Sequence, residues 1–272
     1  MSSVWLVTGS SRGLGRQFVE SALARGDRVV ATARRTESLT GLVASYGDAV
    51  VPLKLDVRDR SAVTEVVKRA VEHFGRLDVV VNNAGHGLFG AVEEISEQAI
   101  RDQMETNFFG TLWVTQAVLP YLREQGSGHI VQISSTSGVV AFPALGGYHA
   151  SKWAVEGLSE SLAQEVSAFG IKVTIVEPGG YSTDWAGSSA VRTEPNAVYD
   201  GLRETLSSIP VRMGDPAATG PALLKIVDAE NPPLRVFFGS QPLDMVKSVY
   251  TERFRVWEEW AGLSAEAEGT SA

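Results

Sequence analysis

Short apolar runs rich in β-branched residues alternate along this chain with stretches of helical period. No other feature limits its fold as much. Val4–Val7, Arg28–Ala33, 50–55, 79–81, 130–133 and 173–176 show little polar alternation. Such runs mark strands covered on both faces, as in a parallel sheet. Between them, Val63, Val66, Val67, Ala70, Val71 and Phe74 form a one-faced helical stripe. Residues 108–122 form a second helix. Residues 153–166, with Val155, Leu158, Leu162 and Val166 recurring, form a third. Strands alternating with helices imply right-handed crossovers, hence an α/β, doubly wound parallel sheet with helices on both faces.

Two regions break the rhythm. Residues 181–214 carry Gly, Ser and Pro with weak periodicity, as a long binding loop would. Asp215 and Pro216 then read as an N-cap and first helical residue, opening a helix toward Val227. A last strand is expected over 234–238. An aromatic-rich helix follows over 242–263, with Met245, Val249, Phe254, Trp257 and Trp260. The expectation is one domain over 1–263 and a flexible tail over 264–272.

Composition excludes several classes of function. Among 272 residues there is no cysteine, which removes disulfides, thiol catalysis and thiolate metal sites. The net charge of −8 and the absence of a basic run argue against nucleic-acid binding. No apolar run reaches the roughly 20 residues of a membrane span. The N-terminus lacks a basic region ahead of its apolar run and reads as a first strand, so a cytoplasmic location is expected.

The first strand leads into Thr8-Gly9-Ser10-Ser11-Arg12-Gly13-Leu14-Gly15, and a helix pattern follows. Glycines permit a tight turn and close backbone approach, and a helix N-terminus offers free N–H groups to a phosphate. The second strand ends at Ala33-Arg34-Arg35. An acid there would bind a ribose 2′-hydroxyl, whereas arginine pairs with a 2′-phosphate. Arg34, with Arg12 as a second cation, therefore points to NADP(H). Further on, Tyr148 and Lys152 stand four residues apart, on one face of a helix. A nearby ammonium favours phenolate, which would suit Tyr148 to proton transfer.

Taken together with Asp56, Asn82-Asn83-Ala84-Gly85, Asn107, Ser135 and Pro178-Gly179 with Thr183, these motifs resemble those of the classical short-chain dehydrogenases/reductases. The resemblance covers residues 4–239. It implies a Rossmann-type, seven-stranded sheet of order 3-2-1-4-5-6-7. It implies Tyr148 as general acid or base, and Lys152 on the nicotinamide ribose and lowering the phenol pKa. Ser135 would sit on the substrate oxygen, and Asn107 would hold a relay water. Asp56 and Val57 would contact the adenine, while Asn83, Ala84 and Gly85 line the ribose. Pro178, Gly179 and Thr183 would cover the nicotinamide. It also implies a homodimer or homotetramer formed through helices near 107–122 and 148–166.

Around that centre, Leu88, Phe89, 139–145 and 181–185 would shape a largely apolar pocket. A hydrophobic ketone, aldehyde or secondary alcohol is the expected substrate, as in 17β-hydroxysteroid and retinol dehydrogenases. A non-catalytic NADP(H)-sensing or scaffold protein on the same fold is the alternative, and it would be expected to lack Tyr148 or Lys152. Imine reduction, epimerisation or dehydration would use the same residues. His149, next to Tyr148, points about 100° away on a helix. His86 borders the ligand edge of the sheet, while His73 and His129 read as structural. The histidines show no metal-ligand spacing. Glu177 and Asp184 read as solvated or locally bonded.

Overall fold

A computed structural model describes residues 2–269. The strands β1 (Val4–Val7), β2 (Arg28–Ala33), β3 (Val50–Lys54) and β4 (Val79–Asn82) come first. A short β5 (Leu88–Phe89) precedes β6 (Gly128–Ile133) and β7 (Ile171–Pro178), and β8 (Val191–Arg192) precedes β9 (Arg235–Phe238). Seven of them form one parallel sheet in the order β3-β2-β1-β4-β6-β7-β9. That is the expected topology, with the reversal between β1 and β4 where ligands bind in such sheets.

Strand alternation feeds two separate cores. Val4, Leu6, Val30, Val80 and Ile130 point to one face. There they meet α3 (Arg60–Phe74), α5 (Gly110–Gln125) and α6 (Gly146–Val166), through residues such as Val67, Val118 and Leu162. Trp5, Val7, Val29, Val81 and Val131 point to the other face. There they meet α1 (Gly13–Ala24), α2 (Thr40–Tyr46) and α8 (Thr219–Val227), through Phe18, Leu42 and Leu223. Each large side chain so buried stabilises the fold by about 1.5–3 kcal/mol.

Helix ends follow local chemistry. Asp59 accepts the Ala62 N–H to open α3, and Gly75, at φ +78°, closes it. Asp215 accepts the Ala217 N–H ahead of Pro216, as expected. The third helix begins at Gly146, several residues before the apolar stripe that signals it. Phe108 and Phe109 belong to a π-helical turn, Glu105–Phe109, between α4 (Glu97–Met104) and α5.

The segment 181–214 is not one long irregular loop. It contains β8 and α7 (Asp200–Ser208), and β8 pairs with β5 in a second, two-stranded sheet. Local sequence could not show this, because each strand is two residues long and its partner lies across the chain. The aromatic-rich helix is α9 (Gln241–Glu259), with Phe254 and Trp257 largely exposed. The segment expected as a tail, 264–272, is helical through Glu268 as part of α10 (Ala261–Glu268). Thr270, Ser271 and Ala272 lie outside the described residues.

Candidate active site

The glycine loop turns sharply at Gly9, φ +68°, and a Cβ there would lie 2.9 Å from the Ala84 Cα. Thr8 braces this approach, its hydroxyl accepting the N–H groups of Asn83 and Ala84, both at 3.0 Å. The Asn83 amide donates back to the carbonyls of Thr8 and Gly9. Ser11, Arg12, Gly13 and Leu14 carry the chain into α1. That helix has no side-chain cap and no acid in its first turn. Gly15 is buried against Asn83 and the Gly9 carbonyl, leaving no room for a side chain. Gly13, φ +60°, stands in the open, and a Cβ there would meet only Thr183, at 3.8 Å. The loop is thus an open cradle of uncapped amides that fits a pyrophosphate.

Arg34 stands exposed at the end of β2, behind the buried Ala33. Its charge reaches Asp56 and His86. Asp56 sits beside Arg58 at 2.7 Å, and that partner holds its carboxyl below the usual range. Val57 is buried and packs where a Cβ on Gly110 would fall. Arg12, the expected second cation, is ion-paired with Asp184 and bonded to Ser188 at the surface.

Tyr148 and Lys152 emerge from the first turns of α6 and are 5% and 6% exposed. The Lys152 Nζ lies 5.9 Å from the Tyr148 ring centre and donates to the Ile133 carbonyl at 2.7 Å. Burial lowers the ammonium to about 8. The phenol is pushed up to about 12 by burial, with hydrogen bonding to Ser135 acting against it. The Lys152 ammonium turns to the Ile133 carbonyl rather than to the phenol.

Ser135 follows β6 and is half-buried. Its oxygen accepts the Ser137 N–H at 3.1 Å, and its hydroxyl faces the Pro178 carbonyl at 3.4 Å. Asn107 lies on the π turn, a feature often found at functional sites. Its carboxamide clasps the His86 backbone, accepting the N–H and donating to the carbonyl, each at 3.0 Å. It also donates to Ser151. Gly85 lies against Asn107 and Lys152, and a Cβ there would be 3.1 Å from the Asn107 oxygen. Pro178 ends β7 and Gly179 follows it, its N–H held by the Phe238 carbonyl.

Trp185 packs on the Tyr148 ring at 4.9 Å and on Phe89 at 5.2 Å. It therefore forms an aromatic wall over the tyrosine. His149 is tied into structure, its Nδ1 on the Ser137 carbonyl and its Nε2 on the Phe142 N–H. His129 is buried against Thr174 and pushed down to about 4. Among the described residues no cluster of His, Asp and Glu could hold a metal. Glu177 departs from expectation, being buried rather than solvated.

Gln103 and Ser151, which join Asn107 to the His86 carbonyl, carry no motif of their own and escape sequence reasoning. Residues 3–193 match the sequence model of the short chain dehydrogenase family. The chain belongs to the short-chain dehydrogenase family. An oxidoreductase of Botryotinia fuckeliana, BOA17, is 43% identical, over 97% of this chain and 98% of the relative. A crystal structure of a short-chain dehydrogenase from Streptomyces avermitilis is 41% identical, with a TM-score of 0.91 and 98% of each chain covered. A short chain dehydrogenase from Burkholderia cenocepacia in complex with NADP is 26% identical, with a TM-score of 0.77, covering 95% of this chain and 97% of that one. This short-chain dehydrogenase is thus an oxidoreductase on a fold that holds nicotinamide cofactors in its solved relatives.

Proposed function

We propose that this short-chain dehydrogenase is an NADP(H)-dependent reductase of hydrophobic ketones or aldehydes. The observation that carries the reading is the meeting of Tyr148, Ser135, Lys152 and Asn107 beside an aromatic wall of Trp185 and Phe89. NADPH, when bound, supplies a hydride. The uncapped glycine loop would hold its pyrophosphate, with Asp56, Val57, Ala84 and Gly85 around the adenosine. The exposed Arg34, with no acid at the end of β2, supports the choice of phosphate over a bare ribose.

With its phenol high, Tyr148 stays protonated at neutral pH and is a proton donor toward a carbonyl oxygen. Ser135 accepts from Ser137 and gives its own O–H only a long contact, 3.4 Å, to the Pro178 carbonyl, and it would turn that O–H to the same oxygen. Lys152 carries its charge below about pH 8 and can turn from the Ile133 carbonyl toward a ribose hydroxyl. Asn107 fixes the backbone at His86 next to this path.

The test is NADPH consumption with a panel of hydrophobic ketones and aldehydes. Tyr148→Phe should lose roughly 100-fold or more of kcat, the usual scale for a general acid. Arg34→Asp should shift preference toward NADH. Equal turnover by wild type and Tyr148→Phe would sink the reading, and unchanged cofactor preference would remove Arg34 from it.

A further inference from the structure

One turn beyond Lys152 on α6 lies Glu156, and Tyr148, Lys152 and Glu156 share one helix face. All three are buried, Glu156 at 5% exposure. A carboxylate in such a place is costly unless it is paired. Its Oε2 accepts from the Arg235 Nε of β9 at 3.1 Å. Its Oε1 and the Ser134 hydroxyl have no other partner and lie side by side, and Ser134 draws the carboxyl toward its charged form. Both crowd Gly138, where a Cβ would lie 2.5 Å from the Ser134 Oγ and 3.0 Å from the Glu156 Oε1. Glycine at 138 is what leaves the carboxylate room to lie there.

The Oε1 of Glu177, on β7, approaches the same Arg235 Nε at 3.6 Å, too far for a hydrogen bond, and has no other partner. The other arm of Arg235 goes to Glu160 at 2.9 Å. Two buried carboxylates therefore compete for one guanidinium. Burial raises both carboxyls, Glu177 up to about 8 with the charge of Glu156 adding to it, and the shorter contact to Arg235, 3.1 against 3.6 Å, favours the charge on Glu156. The pair titrates as a unit.

Lys152 has the complementary difficulty. Its ammonium is desolvated, and its hydrogen bond goes to the Ile133 carbonyl, which carries no countercharge. Around it stand Tyr148 and Ser151 of α6, Asn107 of the π turn, and Gly85 and His86 after β4. His86 is itself held toward its neutral form by burial and by nearby cations. Glu156 is the group that opposes the desolvation of Lys152.

We propose that Glu156 is a positioning residue for Lys152, a countercharge set one turn behind it and steadied by Arg235 that keeps the lysine protonated. The inference rests on the reading of Lys152 as the cation of the active site, but its test needs no turnover. The full chain is labelled with ¹³Cε-lysine, and Lys152→Met identifies the Lys152 resonance. Its titration midpoint is then compared between variants. Glu156→Gln should lower the midpoint by about one pH unit. Glu156→Asp, which keeps the charge, should stay within a few tenths of wild type. Glu156→Met gives the same comparison should the amide variant not fold, since Arg235 keeps Glu160 and Glu177 as partners. A folded Gln or Met variant whose Lys152 midpoint matches wild type overturns the proposal. A Glu156-dependent midpoint in a chain that reduces no carbonyl would leave this inference standing and sink the reductase reading. NADPH-dependent turnover with a Glu156-independent midpoint would do the reverse.

Discussion

The glycine loop after β1 and residues 181–214, on two sides of Tyr148, are built differently. In the loop after β1, Gly9 and Gly15 pack closely on Ala84 and Asn83, and buried Thr8 and Asn83 side chains tie the backbone across the gap. Residues 181–214, beyond the short β5–β8 pairing, are held largely by side chains that reach across the chain. Glu94 accepts the Asn196 N–H and pairs with Arg203, both at 2.7 Å, and Tyr199 bonds Glu93. Asp184 pairs with Arg12. Close backbone packing tolerates no substitution of shape. Polar ties tolerate changes of shape and respond instead to charge, salt and pH.

The sharpest test of that contrast is Gly15→Ala. Its methyl would fall on Asn83 and 2.5 Å from the Gly9 carbonyl oxygen. Overpacking of this kind costs about 1–3 kcal/mol, and the loop can only relieve it by opening. The melting temperature should fall and NADPH binding, followed by fluorescence, should be lost. A variant that binds NADPH like wild type would show that the grip does not depend on this close packing.

A smaller, local effect is expected on the other side. Glu94→Ala should speed amide exchange across 191–203 by roughly tenfold while leaving α1 unchanged. Acid should do the same to wild type. The Asn196 N–H first, and then Arg203, hold the Glu94 carboxyl at about 2, below its ordinary 4.5. A depressed carboxyl stabilises above its unfolded value and loses that contribution as pH falls toward the folded one. The loop should therefore loosen between about pH 4.5 and 2 ahead of the sheet. Loosening that coincides with global unfolding would erase the distinction between the two sides.

The smallest effect joins the sides. Asp184→Asn releases Arg12, and NADPH should bind a few-fold tighter with NADH unaffected, a difference that fades at high salt. Equal tightening for both cofactors would place Arg12 away from the 2′-phosphate.

Much of this molecule was legible in its residue order. The strands, the alternating helices and the glycine turn follow from local pattern, because a strand buried on both faces must be apolar throughout and a tight βα turn must be glycine. The nearness of Tyr148 to Lys152 follows from helical pitch. Asn107 was legible as a residue but not as part of a π turn, since one inserted residue leaves no periodic trace. The β5–β8 pair, the placing of Trp185 over Tyr148 and the sharing of Arg235 by Glu156 and Glu177 were not legible. Each joins segments distant in sequence through one or two contacts, too few to impose a pattern on either segment.

The charge states divide in the same way. Sequence alone identified which groups can titrate and set Lys152 where its charge would matter. Only the tertiary structure decided that burial raises the Tyr148 phenol and lowers Lys152, and that the lysine faces the Ile133 carbonyl. Composition and spacing fix which ionisable groups exist. Their protonation depends on how much water and which countercharges surround them, and those are set only when β6, β7, β9 and α6 pack together.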